Sequence, residues 1–430
     1  MLIKVEGAVD GNDFTSDRCP AQRTMVIVAQ LGARMHYAVP AILQRAGMLE
    51  RLYTDIYAQR LPKPLQAFAM RYGPTSFRRW LGRVPVDIPE QKIVAFGAVG
   101  LEYYWRKRRA VSPTSSAEAH LWAGRELCRR IIREGLGNAD AVFTYNSAGL
   151  ELLRHARKEG KLAVMEQTIA AGFIQDELLN EEESVHHRWT SLRSTDPLRS
   201  AFTEREQTEW EASDLILCGS EFVRESIQAS GGPIKRCCVV PYGIRIPSPA
   251  PRKSNGSRSL HVLTVGAVGL RKGAPYVLAA AKRLKGKAEF RMAGQLEIST
   301  YGQELLRQHV TLLGAVPRSE IQQQFAWADV FLLPSICEGS ATACYEALAY
   351  GLPVITTPNA GSVVRDGVDG FIVPIRDAAA IVDKIDRLAD DPDLWEKMSA
   401  NALARASEFT VQKYGERLLS AIREARATSR

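Results

Sequence analysis

Residues 331–373, FLLPSICEGSATACYEALAYGLPVITTPNAGSVVRDGVDGFIV, constrain the fold more than any other part of the chain. An apolar run over 330–333, closed by Pro334, reads as a buried strand and its terminator. Glu338, Gly339, Ser340, Ala341 and Thr342 follow as a loop, small after the acid, and 341–350 is an Ala- and Leu-rich helical segment. Gly351 ends that helix, and 352–356 is a second buried strand. Strand, loop, helix and strand make a βαβ unit. In such sheets ligands sit beyond the carboxyl ends of the strands, where helix N-termini offer free amides and positive dipole.

Glu338 and Glu346 lie eight residues apart in this unit. A helix starting near Ala341 carries Glu346 roughly 7 Å along its axis, so both acids reach one pocket. Carboxylates accept hydrogen bonds in pairs, which suits vicinal sugar hydroxyls. Taken alone, the spacing also fits a solvated loop acid and a surface helix acid.

The surrounding residues decide between these. PS-x-x-EG-x6-EA-x-A-x-G-x-PV runs through Pro334, Ser335, Glu338, Gly339, Glu346, Ala347, Ala349, Gly351, Pro353 and Val354. It resembles the donor-site signature of the family 4 retaining glycosyltransferases, which have the GT-B fold: α/β, with two Rossmann-like domains facing across a cleft. The resemblance implies that Glu346 binds the nucleotide ribose and Glu338 contacts the donor sugar. Gly339, Ser340, Ala341 and Thr342 then line the donor. Ser340 and Ala341 stand where Phe and Gly are frequent, which puts in question any contact needing positive φ at 341.

A second loop in the same half supports this. After the strand predicted over 260–265 come Gly266, Gly269, Arg271 and Lys272, then a helix over 274–284. Two glycines ahead of a cation pair let backbone amides approach a pyrophosphate while fixed charges neutralise the leaving group. The loop lacks the Walker spacing of an ATP hydrolase but matches G-x5-KG of the resembled family. Diphosphate stabilisation by Arg271 and Lys272 calls for no metal and no cofactor. Asp390, Asp391 and Asp393 read as caps or turn acids.

The first half resembles the family more thinly. A strand over 24–29 leads through Gly32, Arg34 and His36 to a helix over 39–47. In the resembled family this place holds a glycine-rich loop, making those three residues candidates for acceptor or phosphate contact. A strand over 162–165 ends in Glu166 and Gln167, where many family members carry a histidine beside the reacting sugar. Glutamine cannot relay a proton; Glu166 and Gln167 are both active-site candidates. His186 and His187 have no partner at metal-ligand spacing and read as solvated helix residues. The turn Val240, Pro241, Tyr242, Gly243 matches the family's VP-x-G, with Tyr242 where Asn is common.

Composition sets outer limits. The chain has 430 residues, 46% hydrophobic and 24% charged, enough for two domains of ordinary size. No apolar run approaches the roughly 20 residues of a membrane span, and 1–24 reads as a polar extension without a signal-peptide core. Seven scattered cysteines form no CxxC, pointing to a reducing, cytoplasmic compartment. Of the net charge of +8, all is matched by residues 60–109, with eleven bases against three acids among interleaved aromatics. Such a segment suits an anionic membrane surface, or is a basic helical face lying over a core. Nucleic acid would use the same chemistry but finds no other support.

The expected organisation is an acceptor-binding domain over 25–247 with a basic insert at 60–118. A linker at 248–257 follows, then a nucleotide-sugar domain over 258–405. A helix over 406–430 crosses back to the first domain. The resemblance implies retaining transfer of a hexose-type sugar from a UDP- or GDP-sugar to a glycan, lipid-linked or small-molecule acceptor. The protein would be cytoplasmic, and peripheral on the membrane if the insert docks there. The alternative is a non-catalytic GT-B protein that binds nucleotide sugar or membrane. Glycoside hydrolysis is disfavoured because both acids come from one loop and helix. An NAD enzyme is disfavoured because no strand leads into G-x-G-x-x-G.

Overall fold

The computed structural model describes residues 24–56, 87–110, 113–190, 197–247 and 259–428. The expected extension (except Thr24), the linker 248–257 and residues 60–86 and 111–112 of the basic insert lie outside these.

Two parallel sheets organise the described residues. The first has seven strands: β1 (Val26–Gln30), β2 (Leu49–Thr54), β3 (Ile93–Ala95), β4 (Ala141–Tyr145), β5 (Leu162–Gln167), β6 (Leu215–Cys218) and β7 (Cys237–Val239). Their spatial order is β3-β2-β1-β4-β5-β6-β7. The second has six: β8 (Leu260–Val265), β9 (Ala288–Ala293), β10 (Val310–Gly314), β11 (Val330–Leu333), β12 (Val354–Thr356) and β13 (Gly370–Ile372), in the order β10-β9-β8-β11-β12-β13. β1, β4 and β11 are buried at every position. That is why they read as continuous apolar runs, as strands covered on both faces do.

Helices cover both sheets. Around the first lie α1 (Ala38–Arg45), α2 (Gly97–Arg109), α3 (Pro113–Glu134), α4 (Leu150–Lys158), α5 (Gly172–Val185), α6 (Pro197–Glu211) and α7 (Glu221–Ala229). The second carries α8 (Ala274–Arg283), α9 (Thr300–Arg307), α10 (Arg318–Trp327), α11 (Thr342–Ala349), α12 (Ala378–Asp390) and α13 (Pro392–Ser407). Asp377 and Asp391 cap α12 and α13, their carboxylates accepting from Ala380 and Leu394 amides, a role the aspartate-rich turn allows. Strands β2 and β3 and helix α5 carry no strong period in the sequence.

Two segments tie the halves together. The last helix, α14 (Val411–Thr428), buries Tyr414, Leu418, Ala421 and Ile422 in the core of the first domain. In the other direction, α5 reaches from the end of β5 onto the second domain. Its buried Glu182 pairs with Arg376 and accepts from Tyr276 Oη at 2.9 Å. Trp189, just beyond α5, packs into the second domain's core with Ile298 and Leu306. His186 is therefore not the solvated residue expected: its ring lies half-buried, 3.4 Å from Tyr276 Oη.

Candidate active site

Alternation along β5 sends Leu162, Val164 and Glu166 to one face and Ala163, Met165 and Gln167 to the other. Each set joins a different core cluster. Across the domain boundary the segments following β5 and β6 meet the loop after β11, with Gly339 against Thr168 and Ser220.

On the second domain, the loop after β11 is pinned from below. Thr357 Oγ1 donates to the Ser335 carbonyl (2.5 Å) and Asn359 Nδ2 to that of Ile336 (2.8 Å). The Glu338 amide donates to the Asn359 carbonyl (3.0 Å), and the Ile336 amide to the Arg271 carbonyl (2.9 Å). These bonds bring the two predicted loops together. Glu338 Oε1 lies 2.6 Å from Arg271 Nη1 and 2.8 Å from Lys272 Nζ. Gly273, at φ 72°, starts α8 directly under Pro334, where any side chain would collide with the Pro334 carbonyl, a position only glycine fills without strain.

Several expected contacts differ. Ala341 has φ −70°, so no positive φ is required there. Its amide does not face the donor but donates to the Ala360 carbonyl (3.0 Å). The Ser340 hydroxyl is likewise turned away, paired with Tyr345 Oη at 2.8 Å. Gly266 spends its amide on the Ala293 carbonyl (2.9 Å), and its open Cα is where the Lys272 side chain passes. Gly269 is extended, at φ −159°, and leads into the turn bearing Arg271. Thr342 opens α11, where first-turn amides lack intrahelical partners. Glu346, on α11, is one-third exposed, with Arg318 Nη2 3.6 Å away. Burial pushes its carboxyl above the ordinary range, and Arg318 pulls it partly back.

The first domain abuts this loop directly. The Ser220 hydroxyl donates to the Gly339 carbonyl (2.5 Å), the Ala170 amide to that of Glu338 (3.3 Å). Gly339 is so close to Thr168 that a side chain would strike its carbonyl. From α10, Arg318 also donates to His36 Nε2. His36 belongs to three consecutive non-glycine residues in left-handed backbone, Met35 (φ 43°), His36 (φ 52°) and Tyr37 (φ 62°). That conformation costs about 1–2 kcal/mol per residue. The Gly32 amide, expected to face an anion, is occupied by the buried Asp55 carboxylate at 2.9 Å. Arg34 lies over the Tyr145 ring, 5.6 Å from its centroid.

Glu166 and Gln167 separate sharply. Gln167 is buried, its amide nitrogen donating to Glu206 (2.5 Å) and the Ile169 carbonyl (3.1 Å), its oxygen accepting from Trp210 Nε1 (3.1 Å). With every polar atom engaged away from the cleft, it supports the loop rather than touching a ligand. Glu166 is buried among aromatic rings, with Tyr242 Oη donating to its Oε1 at 2.7 Å. Burial pushes its pKa up to about 7, against Tyr242 and Arg34, which lower it. No motif marks Tyr145 or Arg318. Tyr242 was visible only as the departure from asparagine in the VP-x-G turn. Among the described residues, no group of three or more His, Cys, Asp and Glu side chains is arranged to hold a metal ion.

Two parallel-sheet α/β domains meeting at the carboxyl ends of their strands are the GT-B architecture. The family model described as "Glycosyl transferases group 1" matches residues 250–405. The amylovoran biosynthesis glycosyltransferase AmsK of Erwinia amylovora is 29% identical over 200 residues, 41% of this chain and 48% of that protein. The chain spans about half the length of the curated relatives it matches. Among solved structures, sucrose-phosphate synthase from Thermosynechococcus elongatus superposes with a TM-score of 0.67 at 15% identity, covering 94% of this chain and 100% of that one. HepE of Anabaena, in complex with UDP-glucose, gives 0.59 at 12% identity, covering 93% and 99%. At such identities the structures speak for the fold.

Proposed function

We propose that this protein is a glycosyltransferase that takes its sugar from a nucleoside-diphosphate donor held by the second domain and passes it to an acceptor held by the first. The observation that carries the reading is the meeting of Glu338 with Arg271 and Lys272 at the ends of β11 and β8, beside the N-terminus of α11. Two cations and first-turn amides supply the charge complement of a departing diphosphate, and Glu346 faces the ribose. The family match over 250–405 covers all of these residues.

The finer reading is a retaining hexosyl transfer from a UDP- or GDP-sugar without a metal. Retention is supported by the resemblance in the E-x7-E motif. Metal independence is supported by the cation pair. A glycan acceptor is supported by the relative named for amylovoran biosynthesis, and a lipid-linked one by α2. That helix exposes Leu101 (55%) and Trp105 (46%) next to Arg106, Lys107, Arg108 and Arg109, a combination suited to the cytoplasmic face of an anionic membrane. Among the described residues no helix is long and apolar enough to cross a membrane.

Thermal stabilisation by UDP, GDP, ADP, TDP and CMP, repeated with Glu346→Ala, tests the donor reading. One diphosphate nucleotide at about 100 times its dissociation constant stabilises the fold by roughly 2.7 kcal/mol, and the variant loses that response. A protein indifferent to every diphosphate nucleotide is not a transferase of this kind.

A further inference from the structure

Beside the donor loop, but outside it, the first domain holds a compact polar cluster in an apolar wall. Glu166 is the penultimate residue of β5, and its Oε1 is held by Tyr242 Oη at 2.7 Å. Its other oxygen, Oε2, is buried without a hydrogen-bond partner. Tyr145, which closes the neighbouring β4 and pairs with Glu166 in register, likewise has a buried hydroxyl without one. Unpaired buried polar atoms are uncommon and costly, about 1–3 kcal/mol each, and two of them lie here at paired positions of neighbouring strands. Arg34 covers the Tyr145 ring, and Tyr414 stands edge-on to Tyr242 with centroids 6.0 Å apart. The Tyr242 ring also borders Gly219, whose open Cα faces Ser340 of the donor loop. The cluster therefore stands one side chain away from the loop that carries Glu338.

We infer that Glu166 Oε2 and Tyr145 Oη together seat the acceptor hydroxyl, and that Glu166 takes its proton as the glycosidic bond forms. The inference rests on the glycosyl-transfer reading and deepens it. The acceptor oxygen bonds to the anomeric carbon on the face from which the diphosphate departs, as retention requires, while its proton passes to Glu166 Oε2. The bond from that carbon to the diphosphate oxygen breaks, and its electron pair leaves with the nucleotide, facing Arg271 and Lys272. Tyr242 and Arg34 are positioning residues: the hydrogen bond from one and the charge of the other favour the ionised carboxylate. The groups facing Glu166 are Arg34 from the loop after β1, Tyr145 from β4, Tyr242 from the turn after β7 and Tyr414 from α14. Of these only Arg34 carries a charge at neutral pH.

Acceptor-free donor hydrolysis tests this without knowing the acceptor, because water then occupies the hydroxyl seat. The full chain is assayed with UDP-glucose, UDP-galactose and GDP-mannose across pH 5 to 9 (about the span in which such a group titrates). The wild-type rate should rise with pH through an acid limb near 7. Glu166→Gln should lower it at least tenfold and abolish the limb while leaving nucleotide affinity unchanged. Tyr242→Phe and Arg34→Met each remove a group that lowers the pKa, so both should move the limb to higher pH. A purely structural role would not shift it. A Glu166→Gln protein with the wild-type rate and limb overturns the inference while the donor reading stands. A wild-type protein that hydrolyses none of the three donors and responds to no diphosphate nucleotide removes the donor reading, and the inference with it.

Discussion

The Lys272 ammonium lies 2.8 Å from the Glu338 carboxylate. The cation expected to receive a diphosphate is already paired with the acid expected to receive the sugar. Arg271 shares the same oxygen, so the three side chains form one unit with a single surplus positive charge. A bound diphosphate must compete with Glu338 for both cations. Glu338→Gln should therefore tighten binding of the free nucleoside diphosphate about tenfold, a gain of roughly 1.4 kcal/mol, while transfer from the sugar nucleotide collapses. Lys272→Met should weaken the same binding by at least that factor. Isothermal titration with UDP and GDP reads both; equal affinities in all three proteins would place the diphosphate elsewhere.

Glu346 gives the donor site a pH dependence of known sign. Burial raises its pKa, with Arg318 opposing, so the folded protein takes up this proton at a higher pH than an unfolded chain does. An ionised carboxylate is the better acceptor for ribose hydroxyls. Nucleotide affinity should therefore fall on acidification, beginning above the usual carboxylate range, and Glu346→Gln should flatten that fall. Stability without ligand runs the opposite way: the contribution of a raised acid is fully present below its unfolded pKa and is lost as pH rises through the folded value. Affinity and melting temperature measured on one pH series separate the two effects.

Much of the second domain was legible because its strands are buried on both faces and its loops carry fixed chemistry. The run before Pro334, the paired glycines before Arg271–Lys272 and the Glu338–Glu346 spacing each map onto a strand end or a helix start. The first domain was less legible for physical reasons. Strand β2 reads LERLYT, mixing charge into a strand with only four buried positions, and α5 buries only Glu182 along its length, so neither has an apolar period. Loop amides were the weakest expectation of all. Whether the amide of Gly32, Ala341 or Gly266 meets a ligand depends on Asp55, Ala360 and Ala293, which are distant in sequence or belong to another strand.

Helix α2 should bind anionic membranes through its exposed end. Leu101 and Trp105 present apolar surface, while Lys107 and Arg109 extend the charge; Arg106 is partly committed, stacked on Trp122 at 4.3 Å. Each basic residue near an anionic surface adds about 1 kcal/mol. Co-sedimentation with vesicles containing phosphatidylglycerol should succeed at low salt and weaken as salt rises. Neutral phosphatidylcholine vesicles should retain little, and Trp105→Glu should release the protein from both. Equal retention on neutral and anionic vesicles would contradict an electrostatic contact.

The link through α5 should make the two domains unfold together. Trp189 is contributed by the chain of the first domain but sits in the core of the second, 6% exposed. Its carbonyl accepts from the Ser299 amide (2.8 Å), and Arg188 stacks on Tyr301 at 3.7 Å. Emptying such a site costs about 3–5 kcal/mol, so Trp189→Ala should lower stability by that order and split one unfolding transition into two. Arg376→Ala leaves the buried Glu182 carboxylate with Tyr276 and without its cation. Removing one partner of a buried pair costs about 3–5 kcal/mol, and the exposed edge of Arg376 keeps this case near 3 kcal/mol. Because α5 begins three residues after Ile169, beside the Glu338 loop, both variants should lower transfer more than nucleotide affinity. Calorimetry with parallel nucleotide titrations decides it: a single transition and unaltered turnover in Trp189→Ala would show that the coupling does not run through α5.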